Sequence, residues 1–175
     1  MSDPLLMIPA WIDGHLQPVE KLEAHQRGLK HLAVSVFLVS GGKVMLQKRA
    51  LTKYHTPGLW ANTVCTHPFV GEQAYDCAHR RLEDELGISG VEVSYCQTVE
   101  YRADVGSGLI EHEVVDIFVG QTSTDIQITL NPTEVADIRW VSFDALAQEI
   151  AETPKQFTPW LRIYMAEHRA AIESA

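Results

Sequence analysis

The sequence predicts one domain of mixed architecture, an α+β fold or an α/β/α sandwich. Three observations carry this. Short β-rich runs and amphipathic helical stretches follow one another without regular β-α-β alternation, which argues against a doubly wound parallel sheet. The chain has 175 residues, a length that favours a single domain over 1–175 with a sizeable core. Its composition, 46% hydrophobic and 21% charged, is that of an ordinary globular protein, and it contains no internal repeat, low-complexity tract or linker.

The first elements are two extended runs, Leu5–Ile12 and Leu16–Val19, around a turn at Asp13-Gly14. Leu32–Ser40 is a continuous β-rich run; Gly41-Gly42 turns it, and Lys43–Arg49 returns as its partner in a hairpin. A loop with Thr56-Pro57-Gly58 leads into the stretch from Trp60 to Pro68. Gln73–Leu86 has helical periodicity and is closed by Gly87. Val91–Tyr101 and Leu109–Val119 are strands joined through Gly106-Ser107-Gly108. Ile138–Val141 is a short strand and Asp144–Ile150 a short helix. Thr158-Pro159 starts the last helix with a capping hydroxyl and a proline in the first turn, and it runs to about Ile172.

Charge and cysteine content narrow the function classes. A formal net charge of −9 disfavours general nucleic-acid or anionic-membrane binding, since both need clustered positive charge. A few converging Lys and Arg residues could still hold a phosphate. The three cysteines are an odd number, Met1–Ile12 has no basic leader region, and no apolar run reaches the roughly 18 residues of a membrane span. A cytoplasmic protein with reduced thiols is expected.

The helix over Gln73–Leu86 carries charges where apolar residues are expected. Ala74, Ala78 and Leu82 form the inward stripe, and at about 100° per residue Arg81 and Glu85 fall within it, with His79, Arg80 and Glu83 to the solvent side. An i,i+4 ion pair on a solvated face is the plain alternative. A charged pair in an inward stripe otherwise signals a site, because burying it unpartnered is costly: Glu85 for a cation, Arg81 for an anion. In the strand Leu109–Val119, alternation places Glu111 and Glu113 on the face continued by Val115, Ile117 and Val119, with His112, Val114 and Asp116 on the other. Two carboxylates at the mouth of an apolar face suit a metal or acid–base site, and a solvated strand end is the alternative. His25, His31 and His67 add nitrogen donors, a mixed set suited to Zn²⁺ or Mn²⁺.

Residues Glu72, Arg80, Leu82, Glu85, Gly87 and Ile88 fit a spaced pattern that resembles the signature of the Nudix superfamily. Thr66 stands where that signature has its first glycine, Arg81 where it has a glutamate, and Asp84 replaces another. A Nudix hydrolase uses those carboxylates to hold divalent ions on a diphosphate, so Arg81 weakens a hydrolase reading. A second set of motifs is more specific: His25 and His31, Asn62-Thr63-Val64-Cys65-Thr66-His67-Pro68, Tyr101-Arg102-Ala103, Glu111-His112-Glu113-Val114 and Thr158-Pro159-Trp160. Together, from about Pro9 to Arg169, they resemble the type I isopentenyl-diphosphate isomerases. The resemblance implies a Nudix-type α/β/α sandwich with a mixed sheet, an N-terminal strand extension and a C-terminal helix. It also implies interconversion of isopentenyl and dimethylallyl diphosphates by protonation and deprotonation through a tertiary carbocation.

The same resemblance implies the roles. Cys65 and Glu113 are the proton-handling groups on opposite sides of the carbon skeleton, with Tyr101 hydrogen-bonded to the Glu113 carboxylate. Cys65 is the base for the second proton, its pKa lowered by cationic neighbours. Trp160 offers its π face to the cation and excludes water. Lys21, Arg49, Lys53 and Arg81 hold the diphosphate, and Glu85 holds a Mg²⁺ bridging to it. His25, His31, His67, Glu111 and Glu113 hold a first metal, Mn²⁺ or Zn²⁺; no flavin is implied. The expected partner is a small-molecule diphosphate, in a monomer or homodimer without nucleic acid or membrane. A Nudix hydrolase of a diphosphate and a non-enzymatic metal-binding module are the alternatives. The hydrolase lacks the carboxylate that Arg81 replaces, and the module has no use for Cys65, Tyr101 and Arg81 together. Thr66 is expected to be tolerated.

Overall fold

The computed structural model describes residues 6–175. The Leu5 end of the first expected run lies outside them. In chain order the strands are β1 (Met7–Ile12), β2 (His15–Glu20), β3 (Lys30–Ser40), β4 (Lys43–Arg49), β5 (Trp60–Ala61), β6 (Val64–Thr66), β7 (Val93–Gly106), β8 (Leu109–Gln121) and β9 (Val135–Ser142). The α-helices are α1 (Lys21–Arg27), α2 (Ala74–Leu86), α3 (Phe143–Glu152), α4 (Pro159–Ile163) and α5 (Arg169–Glu173), the last two joined by a wide turn at Tyr164–His168.

β3 is the axis of a mixed sheet. It runs antiparallel to β1 and β6 and parallel to β8 over ten residue pairs, from Lys30↔His112 to Val39↔Gln121. The expected β3–β4 hairpin survives only at its tip, where Val39 pairs with Val44 and Ser40 with Lys43. Beyond it β4 turns away to pair with β9, and β6 takes the vacated edge of β3. β7 and β8 form a long antiparallel ribbon that extends past the expected end at Tyr101 to the tip around Ser107.

Both faces of β3 are covered, which explains its continuous apolar run. Val34, Val36 and Leu38 pack with Cys77, Ala78, Leu82 and Leu86 of α2. Phe37 and Val39 pack with Leu146 of α3, with Trp160 and Leu161 of α4, and with Tyr164. The architecture is thus an α/β/α sandwich with a mixed sheet. Along β8, Glu111, Glu113, Val115, Ile117 and Val119 are all buried, and Val115, Ile117 and Val119 join the α3–α4 side of the core, as alternation predicted.

α1 was not foreseen, although its signals are local. Glu20 caps it, accepting from the backbone N–H of Leu22 (3.0 Å) and Glu23 (2.8 Å). Gly28 ends it in the left-handed region at φ 62°. On α2, Arg80 is not a solvent-side residue: it is half-buried, stacks on the Phe69 ring at 3.8 Å and is bonded twice to Glu72, at 2.7 and 2.9 Å.

Candidate active site

One end of the sheet gathers the histidines and carboxylates. The register pairs His31 on β3 with Glu113 on β8, side by side in the parallel ladder. β6 leads directly into His67. α1 lies against the β8 end, and its i,i+4 pair Lys21 and His25 shares one helix face. The imidazoles of His25, His31 and His67 lie with ring centroids 4.7–5.3 Å apart.

The donor chemistry of this cluster fits a divalent cation. Nδ1 of each ring faces a backbone carbonyl: Lys21 O at 2.6 Å for His25, Leu29 O at 2.8 Å for His31 and Leu32 O at 3.2 Å for His67. A carbonyl only accepts, so each Nδ1 carries the proton and each Nε2 presents a lone pair. Those Nε2 atoms converge on carboxylate oxygens at 3.8 Å (His25–Glu111), 3.5 Å (His31–Glu113) and 3.9 Å (His67–Glu113). These separations are long for hydrogen bonds but suit ligands sharing one ion at about 2.0–2.2 Å each. His31 Nε2 is buried without any hydrogen-bond partner. Lone pairs aimed at one another in a buried space repel, and a cation held between them relieves that repulsion. His25, His31, His67 and Glu113 could together hold one ion, and Glu111 adjoins them through His25.

Charge states follow the burial. Burial and the neighbouring His31 hold His67 well below the usual histidine range, and burial lowers His31. Burial acts to raise both carboxyls. For Glu111 the neighbouring His25 and His55 rings outweigh it and the group falls well below the usual carboxylate range. For Glu113 the Glu111 charge adds to burial and holds the group well above that range. Tyr101 is cross-strand to Glu113, yet its hydroxyl donates to Glu111 Oε2 at 2.8 Å. The expected Tyr101–Glu113 bond is therefore corrected: the ring leans along the strand to its diagonal neighbour.

Cys65 sits in β6 between two fixed partners. Its thiol donates to Asn62 Oδ1 at 2.9 Å, and Trp160 Nε1–H donates to Sγ at 2.9 Å. Asn62 is itself oriented, its amide N–H groups donating to Val36 O (3.2 Å) and Val64 O (2.9 Å). The expected lowering of the Cys65 pKa does not hold. Burial pushes the thiol up, and Arg49 and the Trp160 N–H oppose it without prevailing. Thr66 beside it lies in ordinary strand geometry opposite Val34 and has no positive φ, so this position does not need glycine.

The cations meet the same cleft. Lys21, Arg49, Lys53 and Arg81 line it together with Cys65, Tyr101, Glu111, Glu113 and Trp160. Arg81 Nη2 donates to Glu85 Oε1 at 2.5 Å, and Gln47 Nε2 donates to Glu85 Oε2 at 2.9 Å. Burial lowers Lys21 to about 8, with Lys53 adding to the shift and Glu134 opposing it. Glu134 holds Lys53 at 2.6 Å and Arg81 at 3.4 Å.

The candidate catalytic and diphosphate-binding residues, with Glu85, His67, Glu111 and Glu113, line this cleft, and His25 and His31 adjoin it beside Glu111 and Glu113. Sequence reasoning missed His55, Tyr54, Asn62 and Glu134. His55 Nε2 is 3.1 Å from Glu111 Oε1, and the Tyr54 ring packs edge-on against His25 and His55. Asn62 was within a quoted motif without a role; Glu134, in a polar loop, gave no signal.

The NUDIX domain model matches residues 29–161. The isopentenyl-diphosphate Delta-isomerase of Cereibacter sphaeroides (strain KD131 / KCTC 12085) is 61% identical over 166 residues, covering 95% of this chain and 94% of that protein. The isopentenyl-diphosphate Delta-isomerase of Rhodobacter capsulatus is 59% identical over the same length and coverage. Among solved structures, the MutT NUDIX hydrolase from Burkholderia pseudomallei superposes with a TM-score of 0.60 at 20% identity, over 79% of this chain and 98% of that one, a likeness of fold. With one cleft lined by a thiol, two buried carboxyls and four cationic side chains, and relatives of this identity along nearly its whole length, the chain belongs to the isopentenyl-diphosphate Delta-isomerase family, built on a NUDIX domain.

Proposed function

We propose that this isomerase moves the double bond of isopentenyl diphosphate with Glu113 and Cys65 as its two proton-handling groups. The observation that carries the reading is the lining of one cleft, in which Lys21, Arg49, Lys53 and Arg81 meet a thiol, a tyrosine and two buried carboxyls. In the forward direction Glu113 gives a proton to the terminal alkene carbon, leaving a tertiary cation. Cys65, as thiolate, then removes a proton from the carbon on the diphosphate side, which yields dimethylallyl diphosphate. Each forward turnover leaves Glu113 as a carboxylate and Cys65 as a thiol; before the next one solvent returns a proton to Glu113 and takes one from Cys65, which is how solvent hydrogen enters the product. The raised pKa of Glu113 supports its role as the acid. The resting Cys65 is a thiol, and the competent form is the minority thiolate, favoured by the Trp160 N–H and by Arg49. Tyr101 holds Glu111, and the buried Trp160 ring keeps water from the cation.

His25, His31, His67, Glu111 and Glu113 would hold a divalent ion, and their mixed nitrogen and oxygen donors suit Mn²⁺ or Zn²⁺. That ion would supply positive charge beside Glu113. Lys21, Arg49, Lys53 and Arg81 bind the diphosphate. Each Glu85 oxygen keeps a lone pair beyond the one used by Arg81 or Gln47, so Glu85 could hold a Mg²⁺ that would supply positive charge to the diphosphate. Hydrolysis is disfavoured by the same helix: Arg81 occupies a carboxylate position, and Glu72 is committed to Arg80. The unpaired thiols of Cys65, Cys77 and Cys96 suit a reducing, cytoplasmic setting. No helix among the described residues is long and apolar enough to cross a membrane.

The test is incubation with isopentenyl diphosphate, Mg²⁺ and Mn²⁺ or Zn²⁺ in D₂O. Deuterated dimethylallyl diphosphate without phosphate release is expected. Phosphate release, or product free of deuterium, would overturn the reading.

A further inference from the structure

We propose that His55 is a positioning residue that holds Glu111 for the metal centre, and that the hydroxyl of Thr56 sets the tautomer in which it does so. The inference rests on the metal-site reading above but concerns a residue outside that ligand set. His55 is buried, as is Thr56, and its Nε2 lies 3.1 Å from Glu111 Oε1. By proximity alone it could be a fourth imidazole ligand, since His25, His55 and Glu111 also converge.

The partner of the other ring nitrogen argues against ligation. The three histidines assigned to the metal each turn Nδ1 to a backbone carbonyl, which fixes the proton there and frees Nε2. His55 alone among these four turns Nδ1 to a hydroxyl, Thr56 Oγ1, at 2.9 Å. A hydroxyl has a proton to give, so Nδ1 can accept and Nε2 can carry the ring proton. Nε2–H then donates to Glu111 Oε1 at a hydrogen-bonding separation, shorter than the 3.5–3.9 Å of the three other imidazole–carboxylate approaches. With Tyr101 donating to Oε2, both oxygens of Glu111 are held. Hydrogen bonds of this kind orient metal-binding carboxylates.

The backbone is arranged for the same purpose. Thr56 has φ 46°, a left-handed conformation that β-branched residues avoid. Such strain persists only where the surroundings over-determine it, and it often marks a functional segment. Here it accompanies an inward hydroxyl next to an inward imidazole. Arg49 Nη2 donates to the His55 carbonyl at 3.2 Å, and the Trp160 ring meets the imidazole edge-on at 5.8 Å. His55 is thereby fixed by the diphosphate-binding arginine and by the aromatic wall as well as by Thr56.

The experiment uses Co²⁺ as the probe, with the full chain as wild type, His55→Ala, His55→Gln and Thr56→Val. X-ray absorption of the cobalt-loaded wild type should count three imidazoles, and His55→Ala should leave that count unchanged. Cobalt affinity, measured by chelator competition, should fall about 10–100-fold in His55→Ala, the usual effect of removing a group that orients a ligand. His55→Gln, which keeps an N–H at similar reach, should recover most of the loss, and Thr56→Val should show a smaller loss. Four imidazoles in the wild type would make His55 a ligand and overturn the proposal. So would wild-type affinity in His55→Ala, or a His55→Gln variant no tighter than His55→Ala. If His55→Ala does not fold, the wild-type count and the His55→Gln affinity still decide. Failure of the wild type to bind stoichiometric cobalt would remove the metal-site reading itself, a separate outcome.

Discussion

Replacing Lys21 with arginine should remove an alkaline limb from substrate capture. Lys21 reaches the cleft among Arg49, Lys53 and Arg81, with Glu134 as the opposing charge and the Tyr54 ring beside its ammonium at 5.1 Å. Burial first, and Lys53 second, lower its pKa from the ordinary lysine value to about 8. The sign is set by the charged form: below pH 8 the ammonium is present to meet the diphosphate, and above it the charge is lost. At one pH unit above that value about a tenth of the free enzyme keeps the charge, so kcat/KM divided by that of Lys21→Arg should fall about tenfold per unit on the alkaline side, the titrations of Cys65 and Glu113 being common to both proteins. The arginine variant stays charged throughout, because its guanidinium titrates above about 12. Bound diphosphate favours the ammonium, so kcat at saturation should lack the limb. The assay is kcat/KM against pH, from about pH 6.5 to 10, at constant ionic strength and saturating metal. A ratio of wild type to Lys21→Arg that stays flat through about pH 9.5 would refute the reasoning and assign any alkaline limb to another group.

Three other outcomes follow from the site and the fold. Cys65→Ala and Glu113→Gln should each cost at least about a hundredfold in turnover, while circular dichroism and metal-free melting stay near wild type, because both native groups are already neutral in their buried settings; near-normal rates in either variant would break the assignment. Stripping the divalent ion with a chelator should lower the melting temperature by about 5–10 °C if the ion had been present at about a hundred times its Kd; an unchanged melting curve would mean that the inward lone pairs of His25, His31 and His67 are not held by a cation. Gly87→Ala should destabilise the chain by about 2 kcal/mol in urea unfolding, since the residue ends α2 at φ 63° and an added Cβ would stand 2.9 Å from Thr129 Cβ; a loss below about 0.5 kcal/mol would show that the helix end can relax.

Much of the site was legible in the chain because periodicity carries direction. Alternation along Leu109–Val119 was enough to turn Glu111 and Glu113 inward with Val115 and Ile117, and the sheet bears this out. The helical wheel put Glu85 inward, where it is buried. It misjudged Arg80, because the wheel cannot see a segment folding back: Glu72 and Phe69 come over the helix and cover that arginine. Helix α1 was overlooked since seven residues give too little periodicity to register, even though Glu20 and Gly28 punctuate it.

By itself the sequence determined the mixed α/β class, the main strands, the burial of the Glu111/Glu113 face and, through its motifs, the family. Each of these rests on short-range spacing or on residues matched one by one. Only the tertiary structure decided which partners those residues meet. Tyr101 bonds Glu111 and not the residue opposite it, His55 enters the site from a loop without periodic pattern, and Cys65 is held as a thiol because burial outweighs its cationic neighbours. Hydrogen-bond partners and desolvation depend on what packs across a space between distant segments, and no local spacing encodes that space.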